Sequence, residues 1–174
     1  MSEDPDATQA GPAVAGTITT QHRYAIPMAR EHVWARIGDV GDYRAWWPWL
    51  RGFEATALAP GAEWRCEVQP PLPYLVRFTV AIEHVEAPSV VRARVLGDVV
   101  GTATVTLEDA PAEGDDAGGP GCIARLDSSL APGNAALRLV SRFAAPVARF
   151  GHDWVLDSGA RLFITRGLAP AVTD

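Results

Sequence analysis

Few side chains in this sequence are equipped for chemistry, and their spacing restricts what that chemistry is. His22 and Tyr24 stand two residues apart in "TITTQHRYAI", residues 17–26, so on an extended chain they share a face. An imidazole and a phenol there either serve the polar end of a ligand or sit satisfied at a rim and in a core. Tyr74, which closes "PPLPY" at 70–74, has the same two options. "GHDW" at 151–154 invites a catalytic reading, but the helical period around it sets His152 on the outer face. Cys66 and Cys122 match no metal-ligand spacing and read as two small buried hydrophobes. No carboxylate pair, metal-spaced cluster or Ser-His-Asp set can be assembled from residues that the strand pattern turns inward. No cofactor and no metal site is expected.

The elements that position these groups follow from punctuation and period. Strands are expected over 17–26, 52–59, 62–69, 74–86, 89–97, 99–108 and 121–131, broken by Pro60-Gly61, Pro70-Pro71, Pro88 and Gly97-Asp98. Two short helices follow the first strand. The first carries Val33, Trp34 and Ile37 on one side, and the second is ended by Pro48. "DAPAEGDDAGGPG", 109–121, reads as a mobile hairpin loop. From Asn134, a plausible N-cap, to Arg166 the period becomes helical. Val140, Ala144, Val147, Trp154 and Leu162 form the apolar stripe, and Pro146 is expected to bend the helix. Arg161, near the inward edge late in the helix, either meets a ligand carboxylate or, the favoured reading, pairs with Asp157 at i, i+4.

The chain of 174 residues suits one domain. Residues 1–16 should be a disordered tail, 17–166 the folded domain and 167–174 a C-terminal tail. The acidic N-terminus has no basic and apolar leader pattern, which makes the cytoplasm the default location. No run approaches the roughly 18 apolar residues of a membrane span. The net charge of −6 is concentrated in the N-terminal tail and the 109–121 loop, leaving the body nearly neutral. All 15 basic residues are arginines, scattered rather than striped, so nucleic acid is not an expected partner.

Alternation assigns the strand faces. Trp64, Cys66 and Val68 point inward on one strand; Tyr74, Val76, Phe78, Val80 and Ile82 on the next; then Val91, Ala93 and Val95; Val99, Gly101, Ala103, Val105 and Leu107; and Cys122, Ala124, Leu126, Ser128 and Leu130. This set is apolar and rich in small residues, joined on the helix by Gly151 and Ser158. Small residues facing one another across a curved sheet leave volume. Either the layers collapse together or a ligand occupies the gap.

The order of elements, with "IPMAREHVWARIGDVGDYRAWWPWL", "PPLPY", "VLGDVVGTATVTL" and "APVARFGHDWVLDSGARLF", resembles the helix-grip superfamily over residues 17 to about 166. That group holds the START domains, the polyketide cyclase/dehydrase-like (SRPBCC) proteins and the birch-pollen-allergen relatives. The resemblance implies an α+β fold, with a curved antiparallel sheet of about seven strands wrapped around a long C-terminal helix. It also implies an apolar cavity between sheet and helix that holds lipids, polyketides, isoprenoids or hormones. Trp46, Trp47 and Trp49 then form either an aromatic lid or a plug at one end, with Arg44 and Arg51 stacked on the rings or solvated. The expected ligand-binding residues are His22, Tyr24, Trp46, Trp47, Trp64, Tyr74, Val76, Phe78, Val91 and Ala103, with Val147, Gly151, Trp154 and Ser158 from the helix. The functions implied are binding of a hydrophobic small molecule or, alternatively, a polyketide cyclase or dehydratase that relies on confinement and on His22, Tyr24 and Tyr74. "PPLPY" would be an apolar tip at the cavity mouth.

Overall fold

Seven strands pair in one antiparallel sheet, in the order β1-β7-β6-β5-β4-β3-β2. A computed structural model describes residues 16–111, 121–143 and 145–169; the side chains of 140–143, 145, 147 and 148 fall outside that description. The expected N-terminal tail therefore lies outside it up to residue 15, most of the acidic loop from residue 112 to 120, and the end of the C-terminal tail from 170. The strands are β1 (Ile18–Ile26), β2 (Leu50–Glu54), β3 (Glu63–Val68), β4 (Val76–Glu86), β5 (Val90–Gly97), β6 (Val99–Asp109) and β7 (Cys122–Pro132). After β1 the chain forms α1 (Arg30–Gly38), a 3₁₀ turn (Val40–Asp42) and α2 (Tyr43–Trp46). After β7 come α3 (Ala135–Phe143), α4 (Ala145–Leu162) and a π turn (Phe163–Gly167).

The period-two pattern sets the faces. On β1, residues Ile18, Thr20, His22, Tyr24 and Ile26 alternate with the exposed Thr19, Gln21, Arg23 and Ala25. Outward residues of neighbouring strands pair as ions, for instance Arg77 with Glu67 at 2.8 Å and Arg125 with Glu108 at 3.1 Å; such exposed pairs contribute little to stability. The β4–β5 register shifts between Ile82 and His84. Glu83 and His84 are both exposed there, and Val85 returns inward beside Val91. Bulges of this kind bend a strand and increase its twist.

The main core gathers at the α1–α2 end. Val33 and Cys122 are fully enclosed, with Leu107, Tyr43, Trp46 and Phe163 around them. A second cluster, Ile82, Val91 and Ala93, packs with Trp34 and Trp64.

Asn134 does cap α3: its Oδ1 accepts the Leu137 amide at 2.8 Å, and its Nδ2 donates to Asp98 at 2.7 Å. The helical stretch expected over 134–166 is described as α3 up to residue 143 and α4 from residue 145, closed by a π turn. The bend expected at Pro146 turns on residue 144, which lies outside the described residues. Gly167 and Leu168, expected to open the C-terminal tail, belong to the fold. The Gly167 carbonyl accepts from Arg36 Nε at 2.6 Å, and Leu168 packs on the core.

Candidate functional site: two apolar chambers between sheet and helix

The inward face of the sheet and α4 do not meet fully. Among the described residues two adjoining cavities lie between them, of about 360 and about 300 Å³. Val68, Phe78, Leu126, Val155 and Leu156 line both and so mark the boundary between them.

The larger, the tryptophan chamber, lies at the α1–α2 end. Trp47, Trp49, Tyr43, Phe53, Trp64 and Phe163 give it aromatic walls, while Tyr24, Cys66, Val91 and Ala124 add strand positions. Trp47 and Trp49 stack with centroids 5.7 Å apart, and Tyr43 meets Trp47 edge-on at 4.7 Å. Trp47 Nε1 donates to the Gly159 carbonyl at 2.9 Å, which ties the lid to α4. Trp49 packs beside Gly159, where a β-carbon would lie 3.4 Å from its Cζ2, an ordinary contact. Trp49 Nε1 is buried without a hydrogen-bond partner among the described residues.

The smaller, the proline chamber, lies beneath the "PPLPY" tip. Pro70, Tyr74, Val76, Phe78, Val95, Ala103, Leu130 and Leu137 are among its walls, with Gly151, Ser128 and His152. Gln69 fixes the tip, its Nε2 donating to the carbonyls of Leu72 at 2.8 Å and Tyr74 at 3.0 Å. The tip rests on α4 at Gly151, where a β-carbon would stand 2.8 Å from Leu72 Cδ1. Gly151 therefore accommodates Leu72 instead of leaving empty volume.

Titratable groups collect on the seam between β1 and α4. Tyr24 donates to Asp157 Oδ1 at 3.1 Å; His22 Nδ1 lies 3.5 Å from the same oxygen and His22 Nε2 4.0 Å from Asp153. Burial, then the Asp157 carboxylate, raises the Tyr24 phenol well above its ordinary pKa. Burial also raises Tyr74. Deeper in, Thr20 Oγ1 is 2.8 Å from Ser128 Oγ and 3.2 Å from His152 Nε2. Burial lowers the His152 pKa, against the opposing pull of Asp153.

Of the expected binding residues, Tyr24, Trp47, Trp64 and Val91 line the first chamber; Tyr74, Val76, Ala103 and Gly151 line the second; and Phe78 lines both. The others are placed differently. His22 lines neither chamber and belongs to the seam. Trp46 lies in the core against Phe163 and Tyr43, and lines neither. Trp154 and Ser158 also line neither, although Ser158 is buried. The Val147 side chain is outside the description.

The helix corrections share one cause. Anchoring the apolar stripe on the bulky Trp154 rotates the face by about one residue, roughly 100°. The cavity side actually runs through Gly151, His152, Val155, Leu156, Gly159 and Phe163. His152, expected outside, thus faces in. Asp157 is engaged by Tyr24 and His22, and no ion pair to Arg161 occurs among the described residues. Among the described residues the arginine over an indole is Arg36, 4.9 Å from the Trp46 ring; Arg44 and Arg51 are exposed. Thr20 escaped notice although it shares the inward β1 face with His22; that period was the available signal.

No family model matches the chain, and no curated protein matches it. Solved structures do. A START superfamily protein from Mycobacterium smegmatis superposes with a TM-score of 0.61 at 13% identity, over 85% of this chain and 95% of that one. The di-domain ARO/CYC BexL from the BE-7585A biosynthetic pathway gives 0.65 at 11%, over 88% of this chain and 51% of its own. The chain has the helix-grip fold. Norcoclaurine synthase from Thalictrum flavum, in complex with dopamine and hydroxybenzaldehyde, shares the helix-grip architecture with a TM-score of 0.54 at 11% identity, over 86% and 88% of the two chains. Identities this low carry the fold alone. Among the described residues no helix is long and apolar enough to cross a membrane.

Proposed function

We propose that this protein binds a hydrophobic small molecule, of lipid, polyketide or isoprenoid character, between its sheet and α4. The observation that carries the reading is the pair of adjoining chambers walled almost entirely by carbon. Burying about 200 Å² of apolar ligand surface contributes roughly 5 kcal/mol, before the cost of association. A few polar groups then set orientation. Helix-grip relatives that include a synthase crystallised with two small aromatic molecules support it.

Native mass spectrometry of the protein purified from its own cells tests this. A lipophilic adduct released on denaturation is expected; ligand-free protein that also takes up no added lipophile contradicts it.

A second reading, an enzyme of the cyclase or dehydratase kind, is favoured by one observation. Tyr24 lines the tryptophan chamber while bonded to Asp157, beside His22. Confinement beside a phenol paired with a carboxylate can accelerate a cyclisation. Turnover of a polyketide-like substrate that is lost in Tyr24→Phe is expected on this reading; turnover that survives would take Tyr24 out of the reaction, and no turnover by the wild type would remove this reading and leave the first untouched.

A further inference from the structure

We propose that the proline chamber recognises an uncharged oxygen of an amphipathic ligand, a hydroxyl or a carbonyl, through Ser128 at the end of a hydrogen-bonded chain running by way of Thr20 to His152. This inference rests on the ligand-binding reading and specifies the ligand's polar end.

Three elements converge to build the chain. Thr20 on β1 faces Ser128 on β7 in the antiparallel register. The two hydroxyl oxygens are 2.8 Å apart, and His152 of α4 reaches Thr20 at 3.2 Å. Ser128 is only 7% exposed, yet it lines the chamber with His152 among mainly apolar neighbours. A buried hydroxyl usually consumes its hydrogen-bonding capacity within the protein. Here one direction always remains open at Ser128. With the imidazole proton on Nε2, His152 donates to Thr20 and Thr20 to Ser128, which leaves the Ser128 O–H for a ligand carbonyl or hydroxyl. With the proton on Nδ1 the chain reverses, and a Ser128 lone pair remains for a ligand hydroxyl. The site adapts to a donor or an acceptor by moving hydroxyl protons alone.

Charge is selected against. No arginine lines this chamber among the described residues, and burial favours the neutral form of His152. A carboxylate placed there would lose its hydration without gaining a cation. The ligand class is therefore a neutral alcohol or ketone with an apolar body that extends past Phe78 and Leu126 toward the tryptophan chamber.

Displacement of Nile red by decan-1-ol, decane and decanoate at pH 8 tests this on the full chain and on Ser128→Ala and Thr20→Val. In the wild type, decan-1-ol should displace the dye at concentrations at least fivefold below decanoate. Ser128→Ala should weaken decan-1-ol about fivefold, and the shape-conserving Thr20→Val about threefold, with decane unchanged in both. If decanoate competes as well as the alcohol, or decan-1-ol ignores both substitutions while decane still displaces the dye, the polar site is overturned and the apolar cavity stands. If neither Nile red nor decane binds the wild type, both readings fall.

Discussion

Cys66, Cys122 and His152 show how strongly burial governs the reactive side chains. Burial pushes the Cys66 thiol up to about 12 and raises Cys122 as well. Thiols are nucleophilic only as thiolates. Native protein at pH 8 should therefore resist iodoacetamide at both cysteines, and both should react once unfolded in urea; rapid labelling of native protein would contradict their burial. His152 lies below its ordinary value of 6.5. The unfolded chain then takes up a proton at a higher pH than the folded one, so His152 favours folding fully above pH 6.5 and progressively less as the pH falls below it. Urea midpoints between pH 7.5 and 5 should fall more steeply for wild type than for His152→Gln; equal slopes would place His152 in solvent. Strand residues were legible because alternation needs only a period of two: His22 and Tyr24 were set inward on that basis, and Tyr24 does line a chamber. His152 was not, because a helical face has no fixed phase until something packs on it, and the bulky Trp154 suggested the wrong one.

At the level of elements, close approach explains what composition could not. By composition Gly101 on β6 is a small residue that leaves room. Its φ is +150°, and a β-carbon there would lie 1.9 Å from the Ser129 carbonyl oxygen. Gly101→Ala should cost on the order of 3 kcal/mol, measured by chemical denaturation; a neutral effect would mean that β6 and β7 are less closely apposed. The "PPLPY" tip is a second case. Its prolines marked a turn, but the clamp is Gln69, which bonds the Leu72 and Tyr74 carbonyls. If the tip gates the proline chamber, Gln69→Ala should speed dye release several-fold in stopped-flow mixing, each lost bond being worth about 1 kcal/mol. Unchanged release would make the tip a passive wall. Strand limits fell within about two residues of expectation at most boundaries because Pro and Gly punctuate them. The exceptions were the end of β2 and the bulge between Ile82 and His84, which only pairing reveals.

For the whole molecule, the order of elements carried the fold: seven short strands cannot hide their apolar face alone, and the C-terminal helical stretch is the one cover long enough. The hollow itself was not legible. Its volume depends on how far α4 stands from the sheet, and that distance is set by contacts such as Trp47 to Gly159 and Leu72 to Gly151, which join residues far apart in sequence. Nor did the sequence divide the hollow; Phe78, Leu126, Val155 and Leu156 do so only once helix and sheet are brought together.

A single titration probes that hollow most directly. Nile red added to wild type and to Ala124→Phe, which places a ring in the tryptophan chamber, should give saturable, blue-shifted emission with the wild type and at least tenfold weaker binding with the variant. No saturable emission would show that no ligand occupies the space between sheet and helix, and equal binding to both proteins would contradict the tryptophan chamber as the place that holds it.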